Sequence, residues 1–246
     1  MDTIILYYIK YRMNNIEISE FDFEQIKAYS TMVFVAPRRA GKSTFIIELL
    51  YRHFIRKRKI KNYLIISPTA FNPDYQFIDD KFKSTELTEE VLENILEIQK
   101  EKISRDPKAD NEMVIVLDDI MKSTNGKTKD MLERIFILGR HYALNILLSV
   151  QNIRAEYSVS MRMNSDYIVV YQSTNKNNKK EVSELWLSLG DKDMENAGYN
   201  LIGEVPKKYR TMVIDNTSVI KEKFADFVYY FEASLDVIPR NYNFSG

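Results

Sequence analysis

The sequence predicts an α/β protein whose mainly parallel sheet is doubly wound and flanked by helices. Three observations predict it. Short apolar runs of strand length recur along the chain, segments of helical period separate them, and one strand-loop-helix step, VFVAPRRAGKST at 33–44, has the spacing of a phosphate-binding loop.

Five runs carry the first observation, at 32–36, 63–67, 113–118, 145–150 and 166–171. Each is nearly continuous in Val, Ile and Leu, as a strand covered on both faces requires. The helical patterns fall at about 42–59, 88–104 and 127–141. Thr88 stands where an N-cap would, ahead of Glu89 and Glu90, and Met131, Leu132, Ile135, Phe136 and Leu138 share one face of the third pattern. Strand alternating with helix implies right-handed crossovers.

The two ends read less regularly. Ile4 to Ile9 reads as an edge strand or hairpin arm, too short to span a bilayer and without the flanks of a signal peptide, and NIEISEF (15–21) alternates like a strand. In the tail, TNKNNKK (174–180) reads as a turn or exposed hairpin and EVSELWLSL (181–189) as a helix. YRTMVID (209–215) reads as a strand and KEKFADFVYYFEASL (221–235) as a closing helix. With no fixed-period repeat and no long Gly, Ser or Pro linker, the expectation is one domain over 1–246. It comprises N-terminal elements to 30, a core over 31–172 and a C-terminal strand and helix extension over 173–246.

Composition narrows the function. The chain has 246 residues, enough to bury a sizeable core. Basic and acidic residues balance at 35 each, so affinity for a polyanion must come from a local patch. The absence of cysteine rules out a disulfide scaffold, Cys-ligated metal and thiol catalysis, and fits a reducing compartment such as the cytoplasm.

The chemistry begins at the loop formed by Ala36, Pro37, Arg38, Arg39, Ala40, Gly41, Lys42, Ser43 and Thr44. Backbone N–H groups and a helix N-terminus favour a β-phosphate there, Lys42 reaches the β and γ oxygens, and the Ser43 hydroxyl is a Mg²⁺ ligand. Ala36 stands where the usual pattern has Gly, which is tolerable if its φ stays negative. A second motif, MVIVLDD (113–119), ends an apolar strand in two acids at the sheet edge where ligands bind. Asp118 is suited to hold Mg²⁺ through its water shell, and Asp119 to act as general base on the attacking water. Gln151, closing the next apolar strand, is an amide able to contact the γ-phosphate or that water.

Arg140 and Arg162 are candidates for an arginine supplied to a neighbouring subunit, with Arg140 ahead; the plainer reading of each is an exposed or helix-capping cation. His141 and Trp186 read as structural. The basic run RHFIRKRKIK (52–61) suits a helix C-terminus, with DNA-backbone contact as its other reading.

The ordered set VFVAPRRAGKST, VIVLDD, GRHYALNILLSVQ and SMRMNSDYIVV resembles the genome-packaging ATPases of large DNA viruses, the poxvirus-type branch of the FtsK/HerA superfamily. The resemblance covers about residues 19–172. It implies a RecA-like P-loop NTPase of the additional-strand type with strand order 5-1-4-3-2, which hydrolyses ATP with Mg²⁺. It further implies movement of double-stranded DNA into a preformed capsid, capsid or portal-vertex partners, and a homo-oligomeric ring, pentamer or hexamer, with nucleotide at each interface. The implied location is the viral factory of the host cytoplasm, and the virion. Lys42, Ser43, Asp118, Asp119 and Gln151 take the roles given above, and Arg140 becomes the preferred trans-acting residue with Arg162 second. The other readings are a nucleotide-gated assembly factor without turnover and a HerA-like cellular or plasmid DNA pump.

Overall fold

The structure is a computed structural model and describes residues 18–107, 109–121, 126–173, 175–207 and 210–234. Six parallel strands form most of one sheet: β1 (Thr31–Val35), β2 (Asn62–Ile66), β3 (Lys83–Ser84), β4 (Met113–Leu117), β5 (Leu144–Val150) and β6 (Tyr167–Val170). Two antiparallel strands, β7 (Arg210–Asp215) and β8 (Val228–Glu232), extend it in the order β3-β2-β4-β5-β1-β6-β7-β8. Across the five predicted runs this reads β6-β1-β5-β4-β2, which is the expected order 5-1-4-3-2.

The strand pleat sends alternate residues into two cores. On one face Met32, Phe34, Val114, Val116, Leu147 and Val169 pack against α1 (Lys42–Leu49), which continues as a π-helix over Leu50–Lys57. The other face buries Val33, Val35, Ile115, Leu117, Ile146 and Leu148. It is covered by α2 (Glu89–Arg105), capped by the Thr88 hydroxyl as predicted, and α3 (Gly126–Leu138). The short α4 (Ile153–Glu156) and α5 (Val159–Met163) then lead into β6. Beyond β6 the same face receives α6 (Lys176–Val182), extended as a π-helix over Ser183–Leu187, and α7 (Lys192–Glu204). Trp186 is buried there, as read.

Two expectations for the tail need correction. The polar TNKNNKK segment is not a turn, because Asn175 accepts from the N–H groups of Asn177 and Asn178 and so starts α6. The closing helix expected over 221–235 is a 3-10 turn at Phe224–Asp226 followed by β8. VYYFE is β-branched and aromatic, and pairing with β7 outweighs its helix-like apolar spacing. The segment after Gly190, not assigned from sequence, forms α7 on an Asp191 N-cap. The stretch from Ile4 to Ile9 lies outside the described residues; at the end of NIEISEF, Glu20 makes a parallel bridge to Tyr230.

Candidate active site

Three parallel strands, β1, β4 and β5, deliver the site at their carboxyl ends. After β1 the chain turns through Ala36, which is buried, keeps a negative φ and donates its N–H to the Val150 carbonyl at 3.1 Å. The condition for Ala at that position is therefore met. Pro37 and Ala40 are half-buried, while Arg38 and Arg39 stand exposed at the tip. Gly41 caps α1 with φ 87°, and a Cβ there would meet no atom of the described residues within 4 Å. Within the chain itself, the backbone angle is what demands glycine.

Lys42, 5% exposed, opens α1 and points at the acids that end β4. Its ammonium is bound to the Asp119 carboxylate and lies 3.3 Å from Asp118 Oδ1 and 3.3 Å from Ser149 Oγ. The Ser43 hydroxyl donates to Asp118 Oδ2 at 3.1 Å. Gln151 Nε2 donates to Asp119 Oδ1 at 3.0 Å. The structure thus brings together Lys42, Ser43, Asp118, Asp119 and Gln151, which sequence analysis singled out from three separate segments.

Burial alone would raise the Asp119 carboxyl. Hydrogen bonds from Lys42 and Gln151 and the charges of Lys42 and Arg38 overcome that and hold it below the ordinary carboxylate range. Asp118 is buried, and the fully buried Tyr75 hydroxyl approaches its Oδ2 at 3.4 Å. Burial and the Asp118 charge push that phenol well above its usual value, so it is a neutral donor. The Ser43–Asp118 pair is a hydroxyl and carboxylate donor set of the kind that binds Mg²⁺.

Four contributors went unseen in the sequence. Ser149 bonds both acids, and its only signal was a lone hydroxyl within NILLSV. Tyr75 ends a 3-10 turn, Pro73–Tyr75, with no motif. Glu156 accepts the Gln151 N–H at 2.7 Å, and Asn178 Nδ2 donates to the Gln151 carbonyl at 2.7 Å, so α4 and α6 together fix the peptide that carries the amide.

The two arginines lie elsewhere. Arg140 precedes β5, at the amino edge of the sheet, where its guanidinium binds the buried Asp166 carboxylate while the side chain stays 63% exposed. Arg162 is 17% exposed, 3.5 Å from Glu181, which also binds Arg154. In the basic run, Arg52, Lys57 and Arg58 pair with Glu48, Glu24 and Glu112.

The model of one protein family, the poxvirus A32 protein, matches residues 18–244. The chain belongs to the poxvirus A32 protein family. It is accordingly a P-loop ATPase of the viral DNA-packaging kind. Two viral proteins are similar to this A32-family chain over most of their length. Uncharacterized protein L437 of Acanthamoeba polyphaga mimivirus is 27% identical over 230 residues, 89% of this chain and 78% of that protein. Uncharacterized protein 075L of Invertebrate iridescent virus 6 is 26% identical over 208 residues, 82% of this chain and 77% of that protein. Among solved structures, the fold is similar to B204, the DNA-packaging ATPase of Sulfolobus Turreted Icosahedral Virus. The TM-score is 0.58 at 15% identity, covering 85% of this chain and all of that one. It is also similar to the pCW3 conjugation coupling protein TcpA, with a TM-score of 0.58 at 12% identity, covering 84% of this chain and 60% of that one.

Proposed function

We propose that this A32-family protein hydrolyses ATP to drive double-stranded DNA into a preformed viral capsid, and that Lys42, Ser43, Asp118, Asp119 and Gln151 carry the reaction. The observation that supports this most is the convergence of those five side chains at the carboxyl ends of β1, β4 and β5. The B204 NTPase of the related Sulfolobus virus 2 has been solved with ATP-gammaS, which supports ATP as the nucleotide.

Loop N–H groups from Arg38 to Thr44 cradle the β-phosphate, and Lys42 exchanges its contact with Asp119 for the β and γ oxygens. Ser43 and Asp118 would hold Mg²⁺, Asp118 through its water shell, and the ion when bound neutralises charge on the β- and γ-phosphate oxygens. Asp119, freed from Lys42 and already ionised, accepts a proton from the attacking water. The water oxygen bonds to the γ-phosphorus, the bond to the β–γ bridging oxygen breaks, and ADP carries away that electron pair. Gln151, held through its own peptide, orients the water.

Arg140 is assigned to a neighbouring subunit's nucleotide, with Arg162 second because of its engagement with Glu181. That arrangement calls for a closed ring, five or six copies in number, acting with capsid or portal-vertex proteins in the cytoplasmic viral factory and carried in the virion. The test is steady-state ATP hydrolysis with and without long double-stranded DNA, with Asp119→Asn as the blank. DNA-stimulated turnover that the blank abolishes is the expected result. ATP binding with turnover no higher than the blank would refute the motor and favour a nucleotide-gated assembly factor.

A further inference from the structure

We propose that Ser149 is a positioning residue for hydrolysis, whose one hydroxyl aims both acids of the site. The proposal rests on the hydrolytic reading above. Ser149 is 1% exposed, near the end of β5, one residue beyond the Leu117–Leu148 pairing and so beside Asp118. A serine hydroxyl has one proton to give and two lone pairs to receive. Here the Asp119 N–H donates to Ser149 Oγ at 2.8 Å and the Lys42 ammonium stands 3.3 Å away, and both groups can only donate. The Ser149 proton is therefore committed to Asp118 Oδ1, at 2.7 Å. All three hydrogen-bonding positions of the hydroxyl are filled.

The bond to the Asp119 N–H matters because of what that residue's backbone does. Successive residues of a strand point to opposite faces, so two neighbouring carboxylates in a continuing β4 would diverge. Instead Asp119 takes φ 57°, a left-handed conformation uncommon for a residue with a Cβ, though Asp adopts it more readily than most. That turn lets Asp118 and Asp119 meet one ammonium, with Asp118 inside to face Ser43 and Asp119 44% exposed to face incoming water. Ser149 holds the turned peptide by its N–H and the inner carboxylate by its oxygen. With its three positions filled by protein groups, it acts through the two acids.

The test is Ser149→Ala in the full chain. It reads kcat and KM for ATP, affinity for a non-hydrolysable ATP analogue, and hydrogen exchange of the Asp119 amide. The expected result is kcat lower by about 10- to 100-fold, as a misplaced catalytic group predicts, with KM and analogue affinity within about threefold of wild type. The Asp119 amide should exchange at least about tenfold faster, having lost its acceptor. A kcat within about twofold of wild type overturns the proposal. Analogue binding lost together with turnover also overturns it, by assigning Ser149 to the fold. Wild-type protein that binds the analogue but hydrolyses no ATP, with DNA present, sinks the hydrolytic reading itself and takes this proposal with it. That outcome is distinct from an active wild type whose Ser149→Ala variant is equally active.

Discussion

Arg140 and Lys42 stand at opposite edges of one sheet. Lys42 follows the carboxyl end of β1, whereas Arg140 precedes the amino end of β5, the strand beside it. The seven residues of β5 separate those edges by roughly 20 Å. One subunit therefore cannot present both side chains to one phosphate. Asp166, which holds Arg140, in turn accepts the Thr31 N–H at 2.8 Å, so the guanidinium is anchored to the start of the strand that carries the phosphate loop.

This separation makes the role of Arg140 testable by mixing. Arg140→Ala alone should keep ATP binding and lose about 10³- to 10⁵-fold in turnover, the range for a trans-acting arginine. Lys42→Ala alone should lose binding. Mixed, the two inactive proteins should recover part of the activity, because some interfaces pair an intact Lys42 with an intact Arg140. Turnover that stays at the single-variant level across all ratios would exclude action in trans.

Asp119 gives a second prediction, in its pH dependence. Its carboxyl is held below the ordinary carboxylate range, so as pH falls it remains ionised past the value near 4 at which a free Asp takes up its proton. The acid limb of kcat/KM, which reports groups of the free enzyme, should therefore begin below about pH 4 wherever the fold survives. A limb that breaks between pH 6 and 7 would point to a different base. Asp119→Asn should keep ATP affinity and lower kcat by about 10²- to 10⁴-fold.

Much of this architecture was legible in the chain because the central strands are buried on both faces. Burial writes runs such as VIVL and ILL into the sequence, and the acids and the amide stand directly after those runs. The tail was less legible for a physical reason. FADFVYYF sets Phe224, Phe227, Val228 and Phe231 at helical spacing, and only the neighbouring β7 settles its second half as a strand. Asn175 looked like a turn residue because the groups that make a turn also cap a helix. Ser149 and Tyr75 stayed hidden because single polar residues carry no period. Their roles arise from register and from the turned Asp119 peptide, which exist only in the folded chain.

Ala36 and Gly41 of the phosphate loop should respond differently to exchange. Ala36 keeps a negative φ in a buried position, so Ala36→Gly should leave ATP affinity within a few-fold and cost about 0.5–1 kcal/mol, chiefly through the freer unfolded chain. Gly41→Ala forces a Cβ into φ 87° and should cost about 1–2 kcal/mol and weaken ATP binding, even though the space beside it is open. Urea unfolding and ATP titration of both variants check this. Equal effects at the two positions would show that backbone angle is not what distinguishes them.

His53 sets an acid limit on stability that is independent of the active site. It lies on the π-helical extension of α1, 5% exposed, edge-on to Phe23 and Phe54, and among the described residues neither ring nitrogen has a hydrogen-bond partner. Burial first, then the Arg58 charge, lowers its pKa from 6.5 to about 4, with Lys57 adding to this and Glu24 and Asp22 opposing it. Between those two values the unfolded chain binds a proton that the folded protein refuses, so stability falls as pH drops through that window. The loss approaches about 3 kcal/mol at the acid end. Glu112, whose carboxyl is raised chiefly by burial, works in the opposite sense, but it is common to wild type and variant and cancels in the comparison. Urea unfolding of wild type and His53→Phe at pH 7 and 4.5 isolates the effect. The wild type should lose about 2–3 kcal/mol more than the variant over that interval, whatever the phenyl ring does to stability at pH 7. Parallel losses in the two proteins would mean that the buried imidazole finds a way to take its proton inside the fold.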